Sequence, residues 1–139
     1  YAQPKPLAPK VLRRPTNDEL LAFLANDDTD ATPYGEPERV CINFAYRLRV
    51  NAAKSGFNVS YIVVNYDIVE VQPWNPVYMG PRRRFAHALN GCYLANGTHV
   101  WIEPQKDKIA GGSLEEGLTR IRDLLYQYRI EVVEYVEVW

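Results

Sequence analysis

Apolar residues recur every third or fourth position in three stretches of the chain and every second position in four others. The pattern therefore predicts helices and strands in one mixed fold. Leu20, Leu21, Phe23 and Leu24 form the first apolar face. They follow Thr16-Asn17-Asp18-Glu19, a capping box in which the Thr16 hydroxyl accepts from the amide three residues on while Glu19 reaches back. The spacing predicts a helix over 17–26, and the polar, turn-rich stretch from Asn26 to Gly35 predicts a loop. Val40, Cys41, Phe44, Ala45, Leu48 and Ala52 fall on the next helical stripe, near 38–55, with Ser55-Gly56 as a left-handed cap. A third helix opens at Ser113-Leu114-Glu115-Glu116, another capping box, and runs through Leu118, Ile121, Leu124 and Leu125 to about residue 127.

Strands are predicted between these helices. Residues 58–66 alternate valine and tyrosine with dense β-branched content and can extend through Val71. Pro73, Pro76, Gly80 and Pro81 break the pattern around Trp74, Tyr78 and Met79, predicting a long aromatic loop. Residues 84–94 and 98–103 form the next two strands, and 130–139 the last. If Ala95-Asn96-Gly97 is a three-residue hairpin loop with Gly97 in the left-handed region, Leu94 pairs with Thr98 and partner numbers sum to 192. Glu103 then shares a sheet face with His87 as a diagonal neighbour roughly 7–8 Å away. A two-residue loop would put them on opposite faces.

Residues 1–15 carry Pro4, Pro6, Pro9 and Pro15 and are expected to be a proline-rich linker, leaving 16–139 as the domain. At 139 residues the chain suits one core better than two. A net charge of −1 gives no electrostatic reason to expect nucleic acid. No apolar run approaches the roughly 20 residues of a membrane-spanning helix. The polar start is no signal peptide and lacks an initiator methionine, so the sequence reads as part of a longer polypeptide. Its two cysteines make no disulfide framework. The sequons at Asn58 and Asn96 are short enough to arise by chance.

Cys41, His87 and Glu103 carry the candidate chemistry. A thiol that attacks a carbonyl needs an imidazole to draw it toward thiolate and an acid to hold the imidazole in the productive orientation. Cys41 also falls in the first turns of its predicted helix, where unsatisfied amides favour thiolate. Each residue has a plainer reading: Cys41 as a small buried hydrophobe, His87 as a core histidine, Glu103 as a strand-end acid. Only the catalytic reading accounts for all three together. Cys92, an odd number of residues from His87, points to the opposite face and reads as core. Asp27, Asp28 and Asp30 lack the glycine turn and terminal glutamate of a helix-loop-helix calcium site and are assigned to caps and turns. His87, His99 and two cysteines show no paired zinc-ligand spacing, so no metal or other cofactor is expected. In the Arg82-Arg83-Arg84 run, Arg84 is a candidate for steering an anionic substrate.

The blocks Leu20–Leu24, Asp28-Thr29-Asp30, Tyr34, Val40–Ala45, Leu48, Asn51-Ala52, Gly56, His87–Asn90 and Val100–Gln105 together resemble transglutaminase-like domains of the papain-like cysteine peptidase superfamily. The resemblance is to a poorly characterised group found in extracellular proteins of archaea and bacteria, and it runs from about residue 17 to 107. It implies an α+β fold in which a nucleophile-bearing central helix packs on an antiparallel sheet. Carried over, Cys41 matches the nucleophile, His87 the base and Glu103 the acid, where such domains more often have aspartate. An extracellular or cell-surface location and a protein or peptide substrate follow from the same resemblance. An oxyanion hole would use the Cys41 amide, with Trp74, Gln72 and Gln105 as candidates for the second donor. The expected reaction is acyl transfer on an amide: peptide hydrolysis, deamidation or transamidation. Trp74, Gln105 and Arg84 are the expected substrate contacts, and the alternative is a catalytically silent module of a surface protein that uses the same cleft and the 67–84 loop to bind a protein or glycan.

Overall fold

The computed structural model describes residues 11–29, 41–122 and 124–139. Residues 1–10 of the expected linker, residues 38–40 of the second helix, Tyr34 and Asp30 lie outside that span. The first helix, α1 (Asn17–Asn26), has the limits its capping box predicts. The Glu19 amide donates to Thr16 Oγ1 at 3.2 Å, and the Thr16 amide donates to Glu19 Oε1 at 3.1 Å. In α2 (Cys41–Lys54) the buried residues Phe44, Ala45, Leu48 and Ala52 form the predicted stripe. Gly56, at φ +90°, ends it: the Phe57 amide donates to the Ala52 carbonyl and the Gly56 amide to Ala53, so two otherwise orphaned carbonyls are satisfied.

Five strands, β1 (Val59–Glu70), β2 (Arg82–Tyr93), β3 (His99–Glu103), β4 (Lys108–Gly111) and β5 (Tyr128–Val138), form one antiparallel sheet in the order β4-β3-β2-β1-β5. With α3 (Leu114–Arg122) this is an α+β fold, with three helices among the described residues. The β2–β3 hairpin has the predicted register: Asn90 pairs with Ile102 and Tyr93 with His99. Gly97 sits at φ +89°, and the Leu94 amide donates to the Thr98 carbonyl at 2.8 Å. The sequence pattern did not predict β4, and α3 stops at Arg122 rather than near 127. The residues beyond it turn toward the sheet, where the Val71 amide donates to the Gln127 carbonyl and Tyr128 pairs with Glu70.

The sheet separates two apolar clusters. Val59, Cys92, Val100 and Ile102 face α1 and α2, where Leu20, Leu24, Leu48 and Ala52 cover them. Ile62, Val64, Tyr66, Leu89 and Trp101 point the other way, toward Leu114 and Leu118 of α3. Asn90 ties α2 to the sheet, its fully buried Nδ2 donating to the Ala45 carbonyl at 2.7 Å and to Ser60 at 2.9 Å. Asp27 acts as a turn acid, accepting from the Thr29 amide at 3.1 Å, and both acids reach α2: Asn51 Nδ2 donates to Asp27 Oδ1 at 2.7 Å, and Arg47 pairs with Asp28 at 3.1 Å.

Packing begins before the expected domain start at residue 16. Arg13 bridges Phe57 in parallel, Pro15 is fully buried, and the Ala95 amide donates to the Pro15 carbonyl at 2.7 Å. The extended backbone that proline favours lets residues 13–15 lie against the domain, joined to it by the single bridge at Arg13, so the linker reading fails for them.

Candidate active site

The site forms where β3 leaves β2. Even-numbered residues of β2 turn their amides toward β3, as Leu94 does, and the paired register stops at Asn90 and Ile102. Continued by one step, that register would set Ala88 against Pro104, whose missing N–H leaves the Ala88 carbonyl without its donor, so the two-bond pair that would also have taken the Ala88 amide does not close. The Ala88 amide instead donates to the sulfur of Cys41, which also accepts from the Ile42 amide. The end of α2 thus meets the open edge of β2, and Cys41 reaches His87 there although α2 packs mainly on the face away from α3.

His87 Nε2 lies 2.7 Å from Glu103 Oε2, with the two side chains 15% and 3% exposed. Since Nε2 is engaged by the acid, Nδ1 is the ring nitrogen left for the hydrogen bond with Cys41. Glu103 is braced by its own turn, the Gln105 amide donating to its other oxygen at 3.1 Å. Cys41, His87 and Glu103 therefore form one hydrogen-bonded chain across α2, β2 and β3.

The electrostatics follow this chain. The hydrogen bond from His87 is the largest influence on Cys41 and lowers its pKa. Burial opposes that effect, while the charge on His87 and the Ala88 and Ile42 amides reinforce it. For His87 burial is the largest single influence and acts downward. The hydrogen bonds and charges of Cys41 and Glu103 together outweigh it and raise the pKa to about 9. Both shifts move the pair toward a thiolate beside an imidazolium. Cys92 is fully buried, faces the α2 cluster and has its pKa pushed up to about 11, chiefly by burial.

The other candidates lie elsewhere. Arg84 has its Nε 2.5 Å from Asp67 Oδ1 and belongs to an ion-pair group with Arg82 and Glu131. It alternates to the face opposite His87. Its partner Asp67 sits directly opposite it on β1, and the long 71–81 connection hid the β1–β2 register from the sequence pattern. Trp74 is 73% exposed in a turn held by the Gln72–Asn75 bridge. That connection leaves β1 after Glu70, six positions from Val64, the partner of His87, or about 20 Å along the strand. Gln105 contributes its backbone amide to Glu103. Two groups near Cys41 gave no signal in the sequence. Tyr66 is buried on the His87 face, within reach of the charges of Cys41 and Glu103, and Arg122 Nε donates to its hydroxyl at 2.6 Å. Burial raises the Tyr66 pKa against the pull of Arg122.

Among the described residues no group of three or more His, Cys, Asp or Glu side chains is arranged to hold a metal ion, and no helix is long and apolar enough to cross a membrane. No protein-family model matches the sequence, and no curated protein matches it. Among solved structures the chain is similar to a Polyporus squamosus lectin bound to a human-type influenza-binding epitope, at 16% identity and a TM-score of 0.47, over 89% of this chain and 38% of that one. It is also similar to pro-protein-glutaminase, at 14% identity and a TM-score of 0.48, over 98% of this chain and 52% of that one. The chain thus spans about two fifths to one half of the length of these structures.

Proposed function

We propose that this chain is a transglutaminase-like domain that performs cysteine-dependent acyl transfer on an amide of a protein or peptide. The observation that carries this reading is the hydrogen-bonded chain from Cys41 through His87 to Glu103, with the thiol pKa lowered and the imidazole pKa raised. In the proposed reaction the Cys41 thiolate attacks the amide carbonyl carbon, and the carbonyl electrons move to oxygen. As the tetrahedral intermediate collapses, the C–N bond breaks and the His87 imidazolium gives its proton to the departing nitrogen. The resulting thioester passes its acyl group to water, giving hydrolysis or deamidation, or to an amine, giving transamidation. Glu103 holds the ring through Nε2 so that Nδ1 faces sulfur.

The test is to incubate the protein with a glutamine-rich protein and measure ammonia release, incorporation of a labelled primary amine and new peptide termini. Any one of these, abolished by Cys41→Ala, supports the proposal. Absence of all three together with an unreactive Cys41 refutes it. A second reading, a binding module, draws on one observation: Trp74, Val77 and Met79 project from the β1–β2 connection at 73%, 84% and 66% exposure. On that reading Cys41→Ala leaves partner binding intact and Trp74→Ala abolishes it.

A further inference from the structure

His87 shares its face of β2 with Phe85 and Arg83, at two-residue steps. The Arg83 guanidinium carbon is 5.5 Å from the Phe85 ring centroid, and that of Arg122, arriving from α3, is 4.4 Å from the same centroid. The neighbouring arginines are paired: Arg82 and Arg84 with Asp67, Arg120 with Glu116, Arg129 with Glu131. Arg83 and Arg122 have no carboxylate within ion-pair distance among the described residues. Attraction to an aromatic face is weak for an exposed cation and leaves two like charges gathered at one ring. A bound anion would relieve that repulsion.

Arg122 is also held in place. Its Nε donates to the Tyr66 hydroxyl at 2.6 Å, which leaves the two terminal nitrogens as a fork of the kind that matches a carboxylate. A cavity of about 330 Å³ adjoins this ring, walled by Ile68, Pro81, Leu124 and Tyr128, with Glu70 also in its lining. Glu70 makes no ion pair with either arginine. Arg83 lies four positions along β2 from His87, about 13 Å, or roughly four residues of an extended substrate.

We propose that Arg83 and Arg122, gathered over Phe85, bind a carboxylate of the substrate, so that the preferred target amide lies a few residues from an acidic side chain. This rests on the reading of Cys41 as the nucleophile and adds a substrate class to it: acidic polypeptide segments.

Two thiol-alkylating peptides test the proposal, iodoacetyl-Gly-Gly-Glu-Glu-amide and its Gln-Gln counterpart. Their second-order rates at Cys41 are measured by mass spectrometry at low and high salt. The Glu-Glu probe is expected to react about tenfold faster at low salt, the lower end of electrostatic steering, with the ratio shrinking as salt is added. In Arg83→Gln the ratio falls several-fold, and in Arg83→Gln with Arg122→Gln it approaches one. Each variant is its own control, since the neutral probe is read on the same protein. If loss of the Arg122–Tyr66 bond unfolds the double variant, the exposed Arg83→Gln alone decides. Equal rates for the two probes in the native protein, or a ratio unchanged by Arg83→Gln, overturn the arginine site. Fast labelling by both probes at equal rates leaves the nucleophile standing, whereas slow labelling by both removes it as well.

Discussion

Glu103 and His87 meet at 2.7 Å across the end of the β2–β3 ladder, although sixteen residues separate them in sequence. The contact depends on a three-residue hairpin loop, because any odd change in register would turn Glu103 to the other face. It fixes which imidazole nitrogen faces Cys41, and its charge helps raise the His87 pKa to about 9.

Glu103→Gln keeps the shape and removes that charge. The His87 pKa is expected to fall by about one to three pH units, as loss of a close opposite charge requires. NMR titration of the ring measures it, and an unchanged His87 pKa would contradict the electrostatic role. The thiol pKa of Cys41 should rise in the same variant, because a less basic imidazole holds its proton less often.

The pH dependence separates two protonations. As pH falls, Cys41 is protonated only below its lowered pKa, so alkylation should persist at pH values where an ordinary thiol, with pKa near about 8.5, is mostly silent. As pH rises through about 9, His87 loses its proton. Alkylation then continues, because it needs only thiolate, while acyl-transfer turnover declines for want of a proton donor to the leaving nitrogen. Parallel loss of both activities on the alkaline side would contradict that division of roles.

Asn90 positions α2 one turn beyond Cys41 through its bond to the Ala45 carbonyl. Asn90→Ala removes two buried hydrogen bonds, a loss of about 1–3 kcal/mol in chemical unfolding. The folded fraction should also alkylate more slowly at Cys41. Destabilisation with undiminished Cys41 reactivity would limit Asn90 to a structural role.

Pro104→Ala restores an N–H at the position where the β2–β3 ladder stops. The new N–H can donate to the Ala88 carbonyl and close the next pair of the ladder, in which the Ala88 amide turns from Cys41 to the carbonyl of residue 104. The expected result is a higher thiol pKa with little change in stability, read from the pH dependence of alkylation. No change would show that Pro104 does not keep that edge open.

Local signals in the sequence located part of this arrangement. The Thr16–Glu19 capping box placed α1 because both partners lie within one turn, and Gly97, in the left-handed region, set the hairpin register that brings Glu103 to the face of His87. What the sequence could not show depended on long connections. Eleven residues, 71–81, join β1 to β2, so the pairing that commits Arg84 to Asp67 and leaves Arg83 over Phe85 had no local signature. The four-residue β4 has too few positions for a period-two pattern to emerge. Arg122 approaches Tyr66 from another element, and neither sequence position predicts the other.

The most direct test compares Cys41 with Cys92 in one protein. Labelled with iodoacetamide near neutral pH and resolved by peptide mapping, Cys41 should react far faster, since its pKa is lowered while that of buried Cys92 is pushed up to about 11. His87→Ala should bring Cys41 down to the rate of an ordinary thiol with the fold unchanged by circular dichroism. Equal labelling of the two cysteines, or a Cys41 rate untouched by His87→Ala, would contradict the account of Cys41 as an activated nucleophile.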